Sequence, residues 1–303
     1  MHYVKIGIRY FIGLVFITSA VLKLIDVDAF EIYIFSQGFL SLSLSSILAR
    51  LIISGEAMLG MLLILKWRYT LVHTTLSILL LAFSGYLILQ IGKGETANCH
   101  CFGTMISMSP VASLVKNILL LGGLLFIRKQ NDSNWKHLSS AALFIIVFTL
   151  ATPSIFSPPD FLMQYPAMPK SVIDEANKRY QETPALQQLI PDDGKYILCM
   201  YSVSCTYCKQ AAEKISIIAD RHHLEDRVRC VFTGDSALMH TFWAESQGAE
   251  YPYIYMPMRS FFSIAGPSVP SIYLVDNGQI VQHFHFRSID ETIISDFFNH
   301  ENL

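Results

Sequence analysis

Residues 195–214 read KYILCMYSVSCTYCKQAAEK, and this stretch decides the fold of the C-terminal part of the chain. Its first half, 195–201, is a short apolar run that predicts a buried strand. Two cysteines follow where a helix over 205–222 is expected to begin. The small and apolar residues of that helix recur at the spacing of a core-facing side: Ala211, Ala212, Ile215 and Ile218.

The elements around this stretch alternate between predicted strands and helices. Asn277-Gly278 joins two strand-like runs and is a strong hairpin signal. An α/β domain is therefore expected. Its other predicted elements are helices over 171–183, 236–247 and 290–299, and strands over 228–232, 271–276 and 279–286.

This order of elements, with Cys205 and Cys208 opening a helix directly after a strand, resembles the thioredoxin fold of TlpA- and MauD-type proteins. The resemblance implies catalytic roles for both cysteines and a cis-proline at Pro270, just before the hairpin. The residue chemistry agrees with this. A helix N-terminus favours the thiolate of the first cysteine, and the second lies close enough to resolve a mixed disulfide.

Two departures from the thioredoxin pattern concern proton handling and redox potential. Thioredoxins usually carry a buried acid six residues before the first active cysteine, and Cys199 stands there in this chain. The proline that often follows the motif inside the helix is missing, although Lys209 after the second cysteine fits the family.

The chain has six cysteines, too few for a disulfide scaffold and better suited to a redox or metal protein. A Cys-X-X-Cys pair can also be half of a zinc site, but the sequence offers no second pair with suitable spacing. Redox chemistry is therefore favoured, and no metal site is predicted. Cys199 and Cys230 lie in apolar strand patterns, which predicts that both are buried core thiols.

The N-terminal half has a different composition. The chain is 52% hydrophobic and 15% charged, below the quarter that is usual, and long apolar runs fill residues 1–157. A net charge of -2 argues against a nucleic-acid partner. Five segments approach the ~20 residues of a membrane helix, which predicts a bundle of about four helices plus a fifth linking span: 6–25, 47–65, 69–91, 111–127 and 138–156.

Basic residues concentrate in alternate loops, which predicts a cytoplasmic N-terminus. Five spans then place the C-terminal domain and the loop with Cys99 and Cys101 together in the periplasm, where disulfides persist. We therefore expect an inner-membrane domain over 1–130, a fifth span and Pro-rich linker over 131–170, and a periplasmic domain over 171–303. Prolines that include Pro153 and Pro166 should keep the linker itself, 152–170, extended and non-helical. The basic residues are Lys5, Arg9, Lys66, Arg68, Arg128, Lys129 and Lys136; acidic Asp26, Asp28 and Glu31 follow the first span instead.

Four short motifs in the N-terminal part resemble the membrane domain shared by MauE and DoxX-type proteins, over about residues 1–128. That resemblance implies a role in disulfide formation in periplasmic proteins, often beside a thioredoxin-like partner that is here fused to the chain. His100 replaces the usual glycine of the Cys-Gly-Cys-Phe-Gly loop. The motifs are KLID at 23–26, EAMLG at 56–60, NCHCFG at 98–103 and KNILL at 116–120.

Cys99 and Cys101 can close only a small, strained ring, so their disulfide should be labile and suited to a relay. His100 could assist proton transfer near neutral pH, or could be a tolerated loop residue. Charged residues in the spans should face the bundle interior. Three of these charged residues, Lys23, Glu56 and Lys116, predict a pocket that could bind a quinone headgroup or pass protons. The alternative is a structural ion-pair network. Arg50 lies in the same outer half.

Other residues give weaker signals. His283 and His285 alternate on a strand, which could make a metal pair but more often indicates an exposed sheet face. The aromatic run 251–255 could lie near the active site and shape substrate choice, although tyrosine is also common in strands.

Three functions are compatible with these residues. The first is a thiol-disulfide oxidoreductase that carries electrons from periplasmic or secreted protein thiols through Cys205–Cys208 and Cys99–Cys101 to a membrane quinone, with no covalently bound cofactor. The second is a reductase that runs the same relay backwards, since relative potentials set the direction. The third is a Cu(I)-handling membrane protein that uses Cys99, His100 and Cys101.

Overall fold

A computed structural model describes residues 2–94, 99–128, 138–162, 169–191 and 193–299 of the chain. It divides into two compact units, the first mainly helical and the second built around a sheet. The units comprise Met1–Ile34 with Leu44–Pro159, and Phe35–Ser43 with Asp160–Leu303. The three-part division expected from the sequence stays a prediction.

The N-terminal region consists of apolar helices. Among the described residues, three helices are long and apolar enough to cross a membrane: His2–Ile25, Leu42–Leu65 and Tyr69–Gly92. Two further apolar helices, Pro110–Phe126 and the stretch 140–156, are shorter. The five-span arrangement, and the orientation that depends on it, therefore remain predictions, and Lys129 and Lys136 lie outside the described residues. The helices are α1 (His2–Ile25), α2 (Val27–Ser36), α3 (Leu42–Leu65), α4 (Tyr69–Gly92), α5 (Pro110–Phe126) and α6 (Leu138–Phe156).

Two expectations for this region were wrong. The segment with Asp28 and Glu31 is the helix α2, not an open loop, because its apolar residues pack inward: Val27, Phe30, Ile32 and Ile34 are buried. The linker expected over 152–170 begins later, since Pro153 lies inside α6. Apolar helices tolerate a proline where neighbouring groups compensate for the lost N–H. Pro166 lies outside the described residues.

Helices α1 and α3 approach each other closely at two glycines. A Cβ atom on Gly60 would lie 2.7 Å from the carbonyl oxygen of Gly13, and one on Gly13 would lie 2.9 Å from that of Gly60. Small residues allow this kind of backbone approach between membrane helices. The contact places Glu56, one turn before Gly60, beside the C-terminal part of α1.

The C-terminal unit contains a five-stranded mixed sheet in the order β3-β2-β1-β4-β5. Strands β1, β2 and β3 run parallel, while β4 is antiparallel to β1 and β5. The Asn277-Gly278 turn joins β4 to β5, as the sequence predicted. The strands are β1 (Lys195–Ser202), β2 (Val228–Thr233), β3 (Tyr253–Tyr255), β4 (Ser271–Asp276) and β5 (Gln279–His285).

Helices cover both faces of the sheet. One face packs against α9, α10 and α12, and the other against α7, α8 and α11. Strand β1 is buried on both sides, which explains its continuous apolar run. The helices are α7 (Lys170–Gln181), α8 (Pro184–Leu189), α9 (Thr206–His222), α10 (Met239–Ser246), α11 (Met258–Ala265) and α12 (Glu291–Asn299).

The fold class expected from the sequence is confirmed: a helical apolar region followed by a thioredoxin-like α/β domain. Sequence analysis missed α8, α11 and strand β3. Strand β3 was assigned only as an aromatic run, because its three residues are too short for a reliable alternation pattern.

Candidate redox site

Cys205 and Cys208 lie where β1 passes into α9. Cys205 is the N-cap of α9, and its sulfur accepts a hydrogen bond from the backbone N–H of Cys208 at 3.4 Å. Cys208 lies one turn into the helix and is fully buried, whereas Cys205 is partly exposed. The exposed cysteine can therefore meet a substrate, and the buried one can meet only its partner.

The two sulfurs differ in acidity. Interaction with the Cys208 thiol lowers the pKa of Cys205 to about 6, against an opposing effect of burial, and the N–H groups of Cys208 and Tyr207 also lower it. Burial raises the pKa of Cys208 far above its ordinary value. A thiolate at Cys205 beside a protonated Cys208 is the arrangement that an attacking and a resolving thiol require.

Pro270 faces this pair. The Val269–Pro270 peptide bond is cis, and the Val269 carbonyl oxygen lies 4.0 Å from the Cys205 sulfur. The position predicted from the family pattern is thus next to the first cysteine.

Cys199 and Cys230 are buried in the core, as predicted. They are directly opposite each other on β1 and β2. Burial, and then the neighbouring Cys199, raise the pKa of Cys230 well above its ordinary value. The buried thiol of Cys199, with Cys230 beside it, therefore occupies the position where thioredoxins usually bury an acid.

The second cysteine pair lies in the first unit. Cys99 and Cys101 form a disulfide with Cα atoms 5.5 Å apart, and both side chains are 4% exposed. The backbone N–H of Cys99 donates to the Met108 carbonyl at 3.0 Å. Gly103 has a φ of 66°, and a Cβ atom there would lie 2.9 Å from the Leu22 carbonyl oxygen, so the loop packs tightly against α1.

Sequence analysis missed Ser113, a fully buried serine in the first turns of α5. Its hydroxyl oxygen lies 2.8 Å from the Cys99 sulfur and 3.1 Å from the Cys101 sulfur. The available signal in the sequence was a serine near the start of an apolar helix that directly follows the cysteine loop.

A polar network lies under the disulfide. Lys23 pairs with Glu56 at 2.6 Å. The Ser19 hydroxyl lies 2.9 Å from Glu56 and 2.8 Å from the Cys101 carbonyl oxygen, so it links the ion pair to the cysteine loop. The structure thus brings together two of the three residues predicted to form a pocket and joins them to the disulfide.

The other two charged residues of the outer half have different surroundings. The Lys116 ammonium lies over the Phe102 ring, 4.6 Å from its centroid. Arg50 pairs with Glu31 at 2.9 Å and bonds to the Ser157 carbonyl at 3.1 Å. Arg50 therefore belongs to a separate structural pair, and the quinone or proton role of Lys23, Glu56 and Lys116 stays a prediction.

His100 has a φ of 51°, and its ring stacks on Tyr33 with centroids 4.5 Å apart. Burial lowers the pKa of His100, while Asp26 opposes the shift. Neutral imidazole is therefore favoured at neutral pH. Asn98, which precedes Cys99 in the quoted motif, lies outside the described residues.

His283 and His285 on β5 were weaker candidates for a metal pair. His283 and His285 are half-buried and share the face of β5 that carries exposed Val281, which agrees with the half-solvated strand face expected from the sequence. The His283 ring packs on Tyr273, 4.9 Å between centroids, and burial lowers the pKa of His283 to about 4. Within the described residues there is no group of three or more His, Cys, Asp or Glu side chains that could hold a metal ion.

The aromatic run lies partly beside the active-site turn. Tyr255 lines an open cleft at the carboxyl ends of β2 and β3, together with Gly234 and Met256. Gly234 in turn packs against Val203, two residues before Cys205, since a Cβ atom there would lie 2.9 Å from the Val203 side chain. The role of the aromatic run in substrate choice stays a prediction.

The fold and the two cysteine pairs define a membrane-associated protein with a thiol-disulfide redox function. Residues 1–128 match the family described as "Methylamine utilisation protein MauE". The chain is also similar to "Protein TlpB" of Flavobacterium psychrophilum, with 26% identity over 337 aligned positions that cover 93% of this chain and 91% of the relative.

Proposed function

We propose that this protein is a membrane-bound thiol-disulfide oxidoreductase that forms disulfides in periplasmic or secreted proteins. The observation that carries the proposal is the chemical asymmetry of Cys205 and Cys208, a partly exposed thiol of low pKa beside a buried one of high pKa. The second pair, Cys99–Cys101, supplies a disulfide that could return the first pair to its oxidised form.

The proposed electron path balances at each exchange. A substrate dithiol attacks the Cys205 sulfur of the oxidised pair, and Cys208 leaves as the first reduced thiol. The second substrate thiol then displaces Cys205, so the substrate gains a disulfide and the pair becomes a dithiol. The same exchange passes two electrons to Cys99–Cys101, and a membrane quinone takes them with two protons to become a quinol.

The ion pair of Lys23 and Glu56 supports the last step of this path. Both groups lie below the disulfide, and Ser19 connects them to the Cys101 carbonyl. A polar group among apolar helices can accept a quinone headgroup or pass protons to it, since buried ionisable residues in such helices usually serve function.

Acid trapping of living cells tests the direction. After alkylation, the Cys205–Cys208 pair should be mostly oxidised in the wild type and mostly reduced in a Cys99→Ser variant. Cys230→Ala is the matched control, because it removes a cysteine outside both pairs and should leave the trapped state unchanged.

Other outcomes contradict parts of the proposal. A mostly reduced pair in the wild type would favour the reductase, in which the membrane domain feeds electrons outward. An identical state in the wild type and Cys99→Ser would exclude the relay between the pairs. The full chain in vesicles with a quinone and a reduced protein dithiol then tests the acceptor, since quinol should form only when Cys99 and Cys101 are both present.

A further inference from the structure

We propose that Ser113 is a positioning residue for the Cys99–Cys101 pair, which holds and stabilises the sulfur that leaves as a thiolate when this disulfide is opened. The inference rests on the proposed redox role of the pair. It adds a specific side chain that sets the equilibrium between the disulfide and the dithiol.

The geometry supports a hydrogen bond to either sulfur. The Ser113 oxygen lies 2.8 Å from the sulfur of Cys99 and 3.1 Å from that of Cys101. Sulfurs in a disulfide carry no hydrogen, so the hydroxyl must be the donor. Ser113 is 0% exposed, which means that water does not compete for this bond.

The position of Ser113 adds a second favourable effect. It lies in the first turns of α5, a helix of 17 residues that begins at Pro110 after the N-cap Ser109. Unpaired N–H groups give the first turn of a helix a partial positive charge, which favours an anion nearby. A thiolate formed on Cys99 or Cys101 would thus meet both a hydroxyl donor and the positive end of a helix.

The step in which Ser113 acts can be written with every bond. An incoming thiolate bonds to one sulfur of the pair, the S–S bond breaks, and the other sulfur takes the electron pair and accepts the Ser113 hydrogen bond. The second thiol of the same reductant then gives up its proton and displaces the first sulfur, so the reductant ends as a disulfide and the pair as one thiol and one thiolate. A hydrogen bond to a charged acceptor is stronger than one to a neutral acceptor, so Ser113 favours the products.

The test uses the full-length chain in detergent with Cys205→Ser and Cys208→Ser, so that Cys99–Cys101 is the pair that equilibrates. The protein is equilibrated with dithiothreitol or glutathione buffers of graded ratio, and the reduced fraction is measured by alkylation and mass spectrometry. Ser113→Ala should lower the equilibrium constant for reduction about tenfold, which corresponds to about 30 mV for a two-electron couple.

Two further variants separate the hydroxyl from packing. Ser113→Thr retains the hydroxyl and should recover most of the wild-type value. Ser109→Ala removes the N-cap bond to Ala112 and should shift the constant far less than Ser113→Ala, because Ser109 affects the start of the helix without contacting a sulfur. Equal shifts in Ser109→Ala and Ser113→Ala, or no shift in Ser113→Ala, would overturn the proposal.

A second measurement keeps the test decisive if Ser113→Ala does not fold. In the same background with Ser113 intact, the alkylation rates of Cys99 and Cys101 are followed against pH, and fragment ions of their shared peptide assign the label to one cysteine or the other. One of them should react as a thiolate below the ordinary cysteine pKa of about 8.5, and an ordinary profile for both would contradict the inference. These results do not depend on the relay, because small thiols reduce the pair directly; failure of the relay leaves the Ser113 effect measurable.

Discussion

The two cysteine pairs differ in how the chain positions them. Cys205 and Cys208 depend on local structure: a strand ends, a helix begins, and the first cysteine caps that helix. Cys99 and Cys101 depend on distant contacts, because their loop is held by Leu22 of α1, by Ser113 of α5 and by Ser19 above the Lys23–Glu56 pair.

This difference shows two ways of making sulfur reactive. At the first pair, a helix end and a neighbouring thiol adjust the acidity of one exposed sulfur. At the second, both sulfurs are buried, and the Ser113 hydroxyl contacts both of them. Substitutions should therefore act locally at Cys205–Cys208 and through helix packing at Cys99–Cys101.

The largest expected effect breaks the first pair. Cys205→Ser should abolish disulfide exchange with a protein substrate, because serine can neither form the Cys205–Cys208 disulfide that the substrate attacks nor supply a thiolate for the next exchange. Cys208→Ser should instead trap a mixed disulfide on Cys205, visible as a covalent adduct on a non-reducing gel. Full exchange activity in Cys205→Ser would contradict the assignment of the attacking thiol.

The next effect concerns the ion pair under the second disulfide. Glu56→Gln leaves the buried Lys23 charge without its partner and should lower the free energy of unfolding by about 3–5 kcal/mol. Thermal unfolding in detergent measures it, with Glu175→Gln as the control because Glu175 forms an exposed pair with Arg179. The double variant Lys23→Met/Glu56→Met should recover part of the lost stability. If its loss of unfolding free energy instead equals the sum of the losses in the two single variants, the two residues are not coupled.

A smaller effect is expected where α1 and α3 meet. Gly60→Ala places a methyl group against the Gly13 carbonyl and should cost about 1–3 kcal/mol through overpacking. Gly55→Ala is the matched control in the same helix, since a Cβ atom there meets nothing within 4 Å. Equal melting temperatures of the two variants would mean that the close approach is not needed.

The smallest effect sharpens the comparison by pH. With a pKa of about 6, Cys205 should alkylate at a constant rate above about pH 7 and roughly tenfold more slowly at pH 5, because the thiolate is protonated as the pH falls through its pKa. The rate is followed on the peptide that contains Cys205. Lys209→Met should raise the pKa of Cys205 slightly, since Lys209 is the last of the groups that lower it. In the wild type, an alkylation rate that already falls at pH 8 would contradict the lowered pKa.

The sequence predicted the first pair well and the second only in part. Cys205 and Cys208 follow from a local pattern, and Pro270 follows from the resemblance to the thioredoxin fold; the structure places the Val269–Pro270 peptide bond beside Cys205. Lys23 and Glu56 were expected near each other from their depth in the spans, but their link through Ser19 was not. Arg50, expected in the same outer region, pairs with Glu31, which the sequence placed in an open loop.

The sequence alone determined the two-part architecture, the strand-to-helix junction at Cys205 and the burial of Cys199 and Cys230, because hydrophobic period and helix capping are local properties of the chain. Tertiary structure decided the placement of Ser113 on both sulfurs and the approach of α1 to α3. Contacts between residues far apart in the chain depend on how helices pack, and no local pattern records which side chains meet.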